Sequence, residues 1–333
     1  MKQNRIGVIG GGAWVTALAH LAATAGAESL LWARDTDAID AINNNKQNSR
    51  YLKGIPLDPE LRATSDLSKV CQSDAILLVV PAQAVRGLAH QIASLVPKGV
   101  PIICCAKGLE IGTGHLMSEV IKEILPHNPR GCLSGPTFAT EAARGIPTAV
   151  TLAMQDPDLG AKLARAISTP SFRPYVSDDV VGAEVGGAVK NVLAIACGIS
   201  TGIGMGENSR AALITRGLAE AIRLATTLGG QAETLSGLAG LGDLAMTCGS
   251  RQSRNFRFGE ALGQGARLET VPKEMGGVVE GRHTAQALAK RAGELRIDLP
   301  ICQAVDIVLN HGADLRTTVD SLMRRPLRME TDR

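Results

Sequence analysis

Along the first half of the chain, short apolar runs alternate with longer stretches whose apolar positions recur every three or four residues. Runs that are apolar on both faces are typical of strands buried in a parallel sheet with helices on each side. The pattern predicts a doubly wound α/β domain over residues 1–180. The predicted strands are RIGVIG (5–10), ESLLWA (28–33), DAILLVV (74–80), PIICCA (101–106), GCLS (131–134) and TAVTLA (148–153).

Beyond about residue 180 the apolar positions follow helical spacing only. Glycine-rich connections at 229–243 and 275–281 separate the helical stretches. A chain of 333 residues is too long for one compact core. We therefore predict an all-helical second domain over residues 181–327. Its main helices are expected at 181–200, 207–229, 281–297 and 300–311.

The composition of the chain argues against some classes of function. The formal charge is only +3 and there are just eight aromatic residues, so the sequence does not predict nucleic acid as a partner. The longest strongly apolar run has the length of a strand, which argues against membrane insertion. Seven cysteines without a C-x-x-C pair are typical of buried free thiols in a reducing compartment, and we expect a cytoplasmic protein.

The first predicted strand ends in a glycine loop. Gly10 and Gly12 match the first two glycines of a dinucleotide-binding fingerprint, and a helix is predicted to begin near Ala13 or Trp14. Val15 stands where the third glycine or alanine is usual. An ordinary tight turn between a strand and a helix could have the same glycines. Because this glycine loop follows the first strand of an alternating series, dinucleotide binding is favoured.

The end of the second predicted strand carries Arg34 followed by Asp35. NAD enzymes place an acidic residue near this point to bind the ribose 2′-hydroxyl, whereas an arginine accommodates the 2′-phosphate of NADP. Arg34 therefore favours NADP over NAD. In the alternative, Arg34 is a solvated surface residue and Asp35 only caps the next helix.

Common proton donors of dehydrogenases are missing from the sequence. No tyrosine precedes a lysine at the Tyr-x-x-x-Lys spacing, and the six histidines show no metal-ligand spacing, so no metal site is predicted. Lys190 remains, in the apolar, glycine-flanked stretch GGAVKNVLAIAC. Because an ionised lysine is rarely buried without a partner, Lys190 is the candidate catalytic acid, and a lysine snorkelling at a domain edge is the alternative.

Three further segments carry candidate site residues. Asp243 follows a glycine loop, and it is equally consistent with a helix N-cap or with the counter-ion of Lys190. Lys107 and the segment 135–138 each follow a predicted strand, where ligands of α/β proteins bind. The segment 253–255, Ser-Arg-Asn, supplies a guanidinium and an amide that suit a phosphate dianion.

Taken in order, these segments resemble the NAD(P)-dependent glycerol-3-phosphate dehydrogenases over almost the whole chain. The matching pieces are GGGAWVTALA, AKGLE, SGPTFATE, GGAVKNVLAI, NSRAALITRGLAE, GLAGLGDL, QSRNFRFG and VVEG. The resemblance implies a Rossmann-type N-terminal domain, a helical C-terminal domain and a homodimer. It also implies reversible reduction of dihydroxyacetone phosphate, a small phosphorylated three-carbon substrate, to sn-glycerol 3-phosphate for glycerophospholipid synthesis.

The resemblance implies roles for individual residues. Lys190 matches the proton donor and acceptor, with Lys107 and Asp243 beside it. The positions that match substrate contacts are Lys107, Gly135, Thr137, Lys190, Asp243, Ser253, Arg254 and Asn255. Those that match cofactor contacts, together with the loop residues Gly10, Gly12 and Ala13, are Trp14, Arg34, Tyr51, Lys107, Ala139, Arg254, Val279 and Glu280. Val15 departs from the family's usual glycine.

Two other functions remain open from the sequence. One is another lysine-dependent β-hydroxyacid dehydrogenase, which would act on a carboxylate; the phosphate-suited segment 253–255 argues against it. The other is a catalytically silent NADP-binding sensor, which would need neither Lys107 nor Lys190.

Overall fold

The computed structural model describes residues 4–271 and 279–326. The described residues form two compact units. The first unit lies within residues 1–106 and 117–183, and the second lies within residues 107–116 and 184–333. The sequence pattern assigned the segment 107–116 to the first domain, but the contacts of this segment lie in the second unit.

One eight-stranded sheet forms the centre of the first unit, in the order β3-β2-β1-β4-β5-β6-β7-β8. All neighbouring strands are parallel except β6 and β7, which pair antiparallel. The order of the first six matches the doubly wound dinucleotide-binding fold. The strands are β1 (Arg5–Ile9), β2 (Glu28–Trp32), β3 (Arg62–Thr64), β4 (Ala75–Leu78), β5 (Ile102–Cys104), β6 (Arg130–Ser134), β7 (Thr148–Met154) and β8 (Phe172–Ser177).

The antiparallel pair follows from the short connection between β6 and β7. The helix in that connection, Ala139–Ala143, has five residues and is therefore about 7.5 Å long. A five-residue strand such as β6 spans about 16 Å. The connection does not return the chain to the opposite edge of the sheet, so β7 runs back beside β6.

Helices cover both faces of this sheet. One face packs an apolar cluster that includes Val8, Leu18 and Leu133, and the other packs a cluster that includes Leu78 and Val120. The burial of both faces explains why the strands are apolar throughout. The helices are α1 (Ala13–Thr24), α2 (Thr36–Asn45), α3 (Leu67–Cys71), α4 (Val85–Ile92), α5 (Met117–Ile124), α6 (Ala139–Ala143) and α7 (Pro157–Ile167).

Apart from the segment 107–116, which is not helical, the described part of the second unit is built from helices, as the periodicity predicts. Helix α8 (Val180–Gly202) begins in the first unit and continues through the second. A π-helical turn, Leu238–Gly242, leads directly into α11. The other helices are α9 (Gly206–Thr227), α10 (Ala232–Leu235), α11 (Asp243–Gly249), α12 (Arg254–Gly263), α13 (Glu280–Leu295), α14 (Pro300–His311) and α15 (Leu315–Met323).

Helix α8 is the central helix of the second unit. It is long and apolar enough to cross a membrane, but 89% of its most apolar stretch is buried within the protein, as in a core helix. Glycines bring α12 against it: a Cβ at Gly198 would lie 2.1 Å from Phe256 O, and one at Gly259 would lie 2.1 Å from Ile195 O. The backbones of α8 and α12 therefore touch, which fixes the start of α12 relative to α8.

Candidate active site

Lys190 lies near the middle of α8 and is 8% exposed. Its ammonium Nζ donates to Asp243 Oδ1 at 2.8 Å and to Thr247 Oγ1 at 2.9 Å. The lysine is thus buried and paired, as a charged group in an apolar helix must be. It does not snorkel to solvent.

The glycines near Lys190 explain how Asp243 reaches it. A Cβ at Gly186, one turn before Lys190, would lie 2.3 Å from Ala239 O in the π-helical turn. Only a glycine lets α8 approach this turn so closely. Because the turn ends at Gly242 and α11 begins at Asp243, the contact delivers the carboxylate to the lysine.

Asp243 joins two lysines. Its side chain is 0% exposed, Oδ1 accepts from Lys190, and Oδ2 accepts from Lys107 Nζ at 2.5 Å. The residue before α11 is Gly242, so Asp243 is the first residue of the helix and not its N-cap. Of the two sequence interpretations, the structure supports the counter-ion.

Burial and charge act against each other in this cluster. Burial lowers the pKa of Lys190 below its ordinary value, and the neighbouring Lys107 adds to the lowering, while Asp243 opposes it. Burial alone would raise the pKa of Asp243, but the ammonium groups of Lys107 and Lys190 hold it below the ordinary value. Asp243 is therefore a carboxylate, and the two lysines beside it can share one negative charge.

Thr247 belongs to the same cluster, although its place in the sequence does not mark it as a site residue. Its hydroxyl accepts from Lys190 and donates to Asp243 Oδ1 at 3.1 Å. Thr247 lies four residues after Asp243, one turn further along α11. This spacing was the signal in the sequence, but a threonine at that spacing is too common to stand out.

A chain of amide hydrogen bonds connects Lys107 to the start of α13. Asn191 Nδ2 donates to Lys107 O at 3.1 Å, and Asn255 Nδ2 donates to Asn191 Oδ1 at 2.9 Å. Gly281 N then donates to Asn255 Oδ1 at 3.1 Å. The bond to Asn191 is one reason why the segment 107–116 lies with the second unit. Both ends of the Asn255 amide are already engaged in this chain.

The three residues of the predicted phosphate segment occupy the start of α12. Ser253 is the N-cap, and its buried Oγ accepts from Phe256 N at 3.2 Å. Arg254 is the first residue of the helix and is exposed. A guanidinium beside a helix N-terminus is suited to an anion.

In the first unit, the glycine loop has the shape that a dinucleotide requires. Gly10 has φ +151°, and a Cβ there would lie 2.2 Å from Val79 O. Gly11 and Gly12 face open space, and no side chain of the described residues caps α1, which begins at Ala13. The free N–H groups at the start of α1 can therefore receive a pyrophosphate. Val15, which departs from the fingerprint, lies in the first turn of α1 and is buried in the apolar core.

Arg34 and Asp35 have different surroundings. Arg34 is exposed directly after β2. Asp35 caps α2 by accepting from the backbone N–H groups of residues 37 and 38, and it pairs with Arg50 at 2.9 Å. The Asp35 carboxylate is therefore already bonded, whereas Arg34 is exposed after the end of β2.

Two aromatic residues that the resemblance assigns to the cofactor lie in the first unit. Trp14, in the first turn of α1, meets Phe172 edge to face with ring centres 6.5 Å apart. Tyr51 is partly exposed, and the guanidinium of Arg50 lies 5.3 Å from its ring centre.

The remaining predicted positions lie at element ends. Gly135, after β6, has φ +140° and allows no Cβ, and Thr137 Oγ1 donates to Gly135 O at 3.4 Å. Ala139 is the first residue of α6. In the second unit, Val279 is the N-cap of α13 and Glu280 its first residue.

A cavity of about 630 Å³ lies elsewhere in the second unit, among α8, α9, α14 and α15. Its lining does not include Lys107, Lys190 or Asp243. Glu220 lines it and accepts from the backbone N–H groups of Ile301 and Cys302 at 2.7 and 3.1 Å, so it caps α14 from a neighbouring helix. Burial raises the pKa of Glu220 to about 7, against these hydrogen bonds.

A glycine loop of the dinucleotide-binding type in a doubly wound sheet is typical of NAD(P)-dependent oxidoreductases, and a buried lysine paired with a carboxylate is a group that such enzymes can use for proton transfer. Comparison with known proteins identifies the family. The model for the NAD-dependent glycerol-3-phosphate dehydrogenase N-terminus matches residues 5–160, and the model for the C-terminus matches residues 179–320. The chain belongs to the NAD-dependent glycerol-3-phosphate dehydrogenase family.

Individual relatives agree over the whole length. A glycerol-3-phosphate dehydrogenase, NAD(P)+, of Rhodospirillum rubrum is 52% identical over 98% of this chain and 94% of the relative. One of Parvibaculum lavamentivorans is 48% identical over 99% of each chain. The crystal structure of glycerol-3-phosphate dehydrogenase from Coxiella burnetii has a TM-score of 0.92 and 38% identity, covering 97% of this chain and 99% of that one.

Proposed function

We propose that this NAD(P)-dependent oxidoreductase of the glycerol-3-phosphate dehydrogenase family reduces dihydroxyacetone phosphate to sn-glycerol 3-phosphate with Lys190 as the proton donor. The observation that carries the proposal is the buried cluster in which Asp243 holds both Lys190 and Lys107. A charged, oriented ammonium in an apolar helix can serve as a proton donor. The family match over both halves of the chain favours this enzyme over a β-hydroxyacid dehydrogenase or a catalytically silent sensor.

When bound, the nicotinamide cofactor supplies or removes the hydride at C2 of the substrate. During reduction, Lys190 Nζ gives a proton to the carbonyl oxygen as that oxygen gains negative charge. The Lys107 ammonium lies on the same carboxylate and adds positive charge beside the developing alkoxide. In the oxidation direction, neutral Lys190 takes the proton back from the alcohol.

Asp243 and Thr247 hold Lys190 in place for this transfer. The carboxylate favours the protonated form of the buried lysine, because it opposes the lowering of the Lys190 pKa by burial. The Thr247 hydroxyl bonds both groups and limits the rotation of the ammonium. Orientation of this kind lowers the barrier because it is fixed before the reaction begins.

We assign the substrate phosphate to the start of α12. Arg254 supplies the guanidinium, and the positive end of the helix dipole adds to it. Ser253 shapes the helix start through its cap, and Asn255 is fixed by Asn191 and Gly281. Gly135 and Thr137 stay proposed substrate contacts.

For the cofactor, we assign the pyrophosphate to the residues from Gly10 to Ala13 and the 2′-phosphate of NADP to Arg34. NADP is therefore the preferred cofactor, with NAD as the alternative. The further positions proposed to contact it, each carried over from the family resemblance, are Trp14, Tyr51, Lys107, Ala139, Arg254, Val279 and Glu280.

Four further proposals concern organisation and setting. Residues 1–180, apart from the segment 107–116, form the dinucleotide-binding domain, and residues 181–327 form the substrate-binding and catalytic domain. The enzyme acts as a homodimer. It is cytoplasmic. Its product supplies glycerophospholipid synthesis.

The direct test is a spectrophotometric assay of purified protein with NADPH and dihydroxyacetone phosphate. We expect NADPH to be oxidised with this substrate and much more slowly with a three-carbon 3-oxo acid, the keto substrate that a β-hydroxyacid dehydrogenase would reduce. Faster turnover of the keto acid would refute the substrate assignment. Absence of turnover with either substrate, in protein that binds NADPH, would support a sensor.

A further inference from the structure

Ser134, the last residue of β6, carries a buried hydroxyl that the proposed mechanism does not use. The residue is 5% exposed, and its Oγ has no hydrogen-bond partner among the described residues. Buried polar groups are nearly always hydrogen-bonded, so an unpaired hydroxyl in a folded protein needs an explanation. One explanation is a bound ligand that supplies a hydrogen-bond donor or acceptor to this hydroxyl.

Strand register places Ser134 at the height of the glycine loop. Ile9 of β1 pairs with Leu78, Leu78 with Cys104, and Cys104 with Cys132, so these four residues lie at one level of the sheet. Ser134 lies two residues beyond that level, about 7 Å further toward the carboxyl edge, whereas β1 ends at Ile9 and passes into the glycine loop there. Strand alternation directs Ser134 to the face opposite Leu133, which packs into the apolar cluster with α1.

The strand order then says which part of a dinucleotide lies near Ser134. The pyrophosphate binds at the loop after β1, and Arg34 marks the adenosine side, above β2. The other half of the cofactor must extend from β1 in the opposite direction, over β4, β5 and β6. Ser134 is three strands from β1, about 14 Å away laterally, on that side.

We propose that the Ser134 hydroxyl hydrogen-bonds the nicotinamide half of the bound cofactor. A hydroxyl both donates and accepts, which matches a carboxamide or a ribose hydroxyl. The next residue, Gly135, supports this proposal. Its φ is +140°, and an ideal Cβ there would lie 2.9 Å from Val150 Cα, so this position requires glycine and no side chain stands beside the Ser134 hydroxyl there. This inference rests on the cofactor site proposed above.

The chain offers a matched control. Ser29 Oγ is also buried and also lacks a partner among the described residues, and the residue is 2% exposed. Ser29 pairs with Ile6 in the register of β1 and β2, three residues below Ile9, so it lies away from the carboxyl edge. Replacing either serine with alanine removes the same kind of group, but only Ser134 is placed to reach a cofactor.

The experiment measures the affinities of Ser134→Ala, Ser29→Ala and the unmodified protein for NADPH and for adenosine 2′,5′-bisphosphate, by calorimetry. The second ligand carries the 2′-phosphate and the adenosine but lacks the nicotinamide half. We expect Ser134→Ala to weaken NADPH by about five- to tenfold, the usual effect of losing one neutral hydrogen bond, and to leave the bisphosphate unchanged. Ser29→Ala should change neither affinity.

A second measurement, the melting temperature with and without NADPH, controls for a change in the stability of the variants. NADPH should raise the melting temperature of Ser134→Ala by less than that of Ser29→Ala at the same concentration. Unchanged NADPH affinity in Ser134→Ala would overturn the inference, and so would an equal weakening of both ligands. Failure of the unmodified protein to bind the bisphosphate would instead refute the Arg34 site on which the inference rests.

Discussion

Replacing Asp243 with asparagine removes the charge that holds Lys190 and Lys107 together while keeping nearly the same shape. In the unmodified enzyme Asp243 accepts hydrogen bonds from both ammonium groups at 2.8 and 2.5 Å. Asparagine can accept from one lysine through its amide oxygen, and its NH₂ group faces the other. We expect kcat for dihydroxyacetone phosphate reduction to fall strongly in Asp243→Asn.

The magnitude follows from the bonds that are lost. Hydrogen bonds to charged groups contribute about 1.5–3 kcal/mol each, and breaking one partner of a buried ion pair costs about 3–5 kcal/mol. If about 3–5 kcal/mol of this loss falls on the transition state, kcat falls by about 10²–10⁴-fold. The predicted loss is therefore as large as that for removing the proton donor itself.

The pH dependence of kcat separates this effect from simple misfolding. Asp243 opposes the lowering of the Lys190 pKa by burial, so its loss lowers that pKa further. Because reduction needs protonated Lys190, the alkaline limb of the kcat profile should move to lower pH. Asp306→Asn is the control, since Asp306 is also buried but bonds Asn310 and His311 instead. An alkaline limb that does not move in Asp243→Asn would refute the reasoning.

Three further predictions concern the cofactor preference, the substrate phosphate and a buried carboxyl. Arg34→Ala should raise KM for NADPH much more than for NADH, because only NADPH carries the 2′-phosphate; equal changes would make Arg34 a bystander. Arg254→Lys keeps the charge but loses the bidentate guanidinium, so kcat/KM for dihydroxyacetone phosphate should fall at least about tenfold. The kcat/KM for dihydroxyacetone, which lacks the phosphate, should change little, and NADPH affinity is measured separately. Glu220→Gln tests the buried carboxyl with a pKa of about 7. Since folding raises this pKa, the protonated form is favoured in the folded state. The free energy of unfolding of the unmodified protein, relative to that of the variant, should therefore increase by about 2 kcal/mol from about pH 8 to pH 5.5 in urea titrations. A pH-independent difference would contradict the raised pKa.

The fold was largely predictable because most strands are apolar along their whole length. Runs such as 74–80 and 101–106 have few polar positions and could hardly be anything but buried strands. The sequence did not reveal β3, which has three residues, or β8, which is an edge strand with polar positions and a proline. The antiparallel pairing of β7 depends on the length of α6, which an apolar pattern does not encode.

The active-site cluster was predictable residue by residue but not as an arrangement. Lys190 stood out because it interrupts an apolar helix, and Lys107 because it follows a strand. Their meeting at Asp243 joins residues 53 and 136 positions apart in the chain, and it depends on the close approach that Gly186 allows. Thr247 was missed because its role exists only once Lys190 and Asp243 are in contact.

Proton transfer from Lys190 to the substrate carbonyl is tested by kcat of Lys190→Ala, measured with saturating NADPH and dihydroxyacetone phosphate. NADPH affinity and far-ultraviolet circular dichroism are measured on the same protein to verify folding and cofactor binding. We expect kcat to fall at least about 100-fold, the usual effect of losing a general acid, with NADPH affinity unchanged. A folded Lys190→Ala variant that binds NADPH and turns over at nearly the unmodified rate would contradict it.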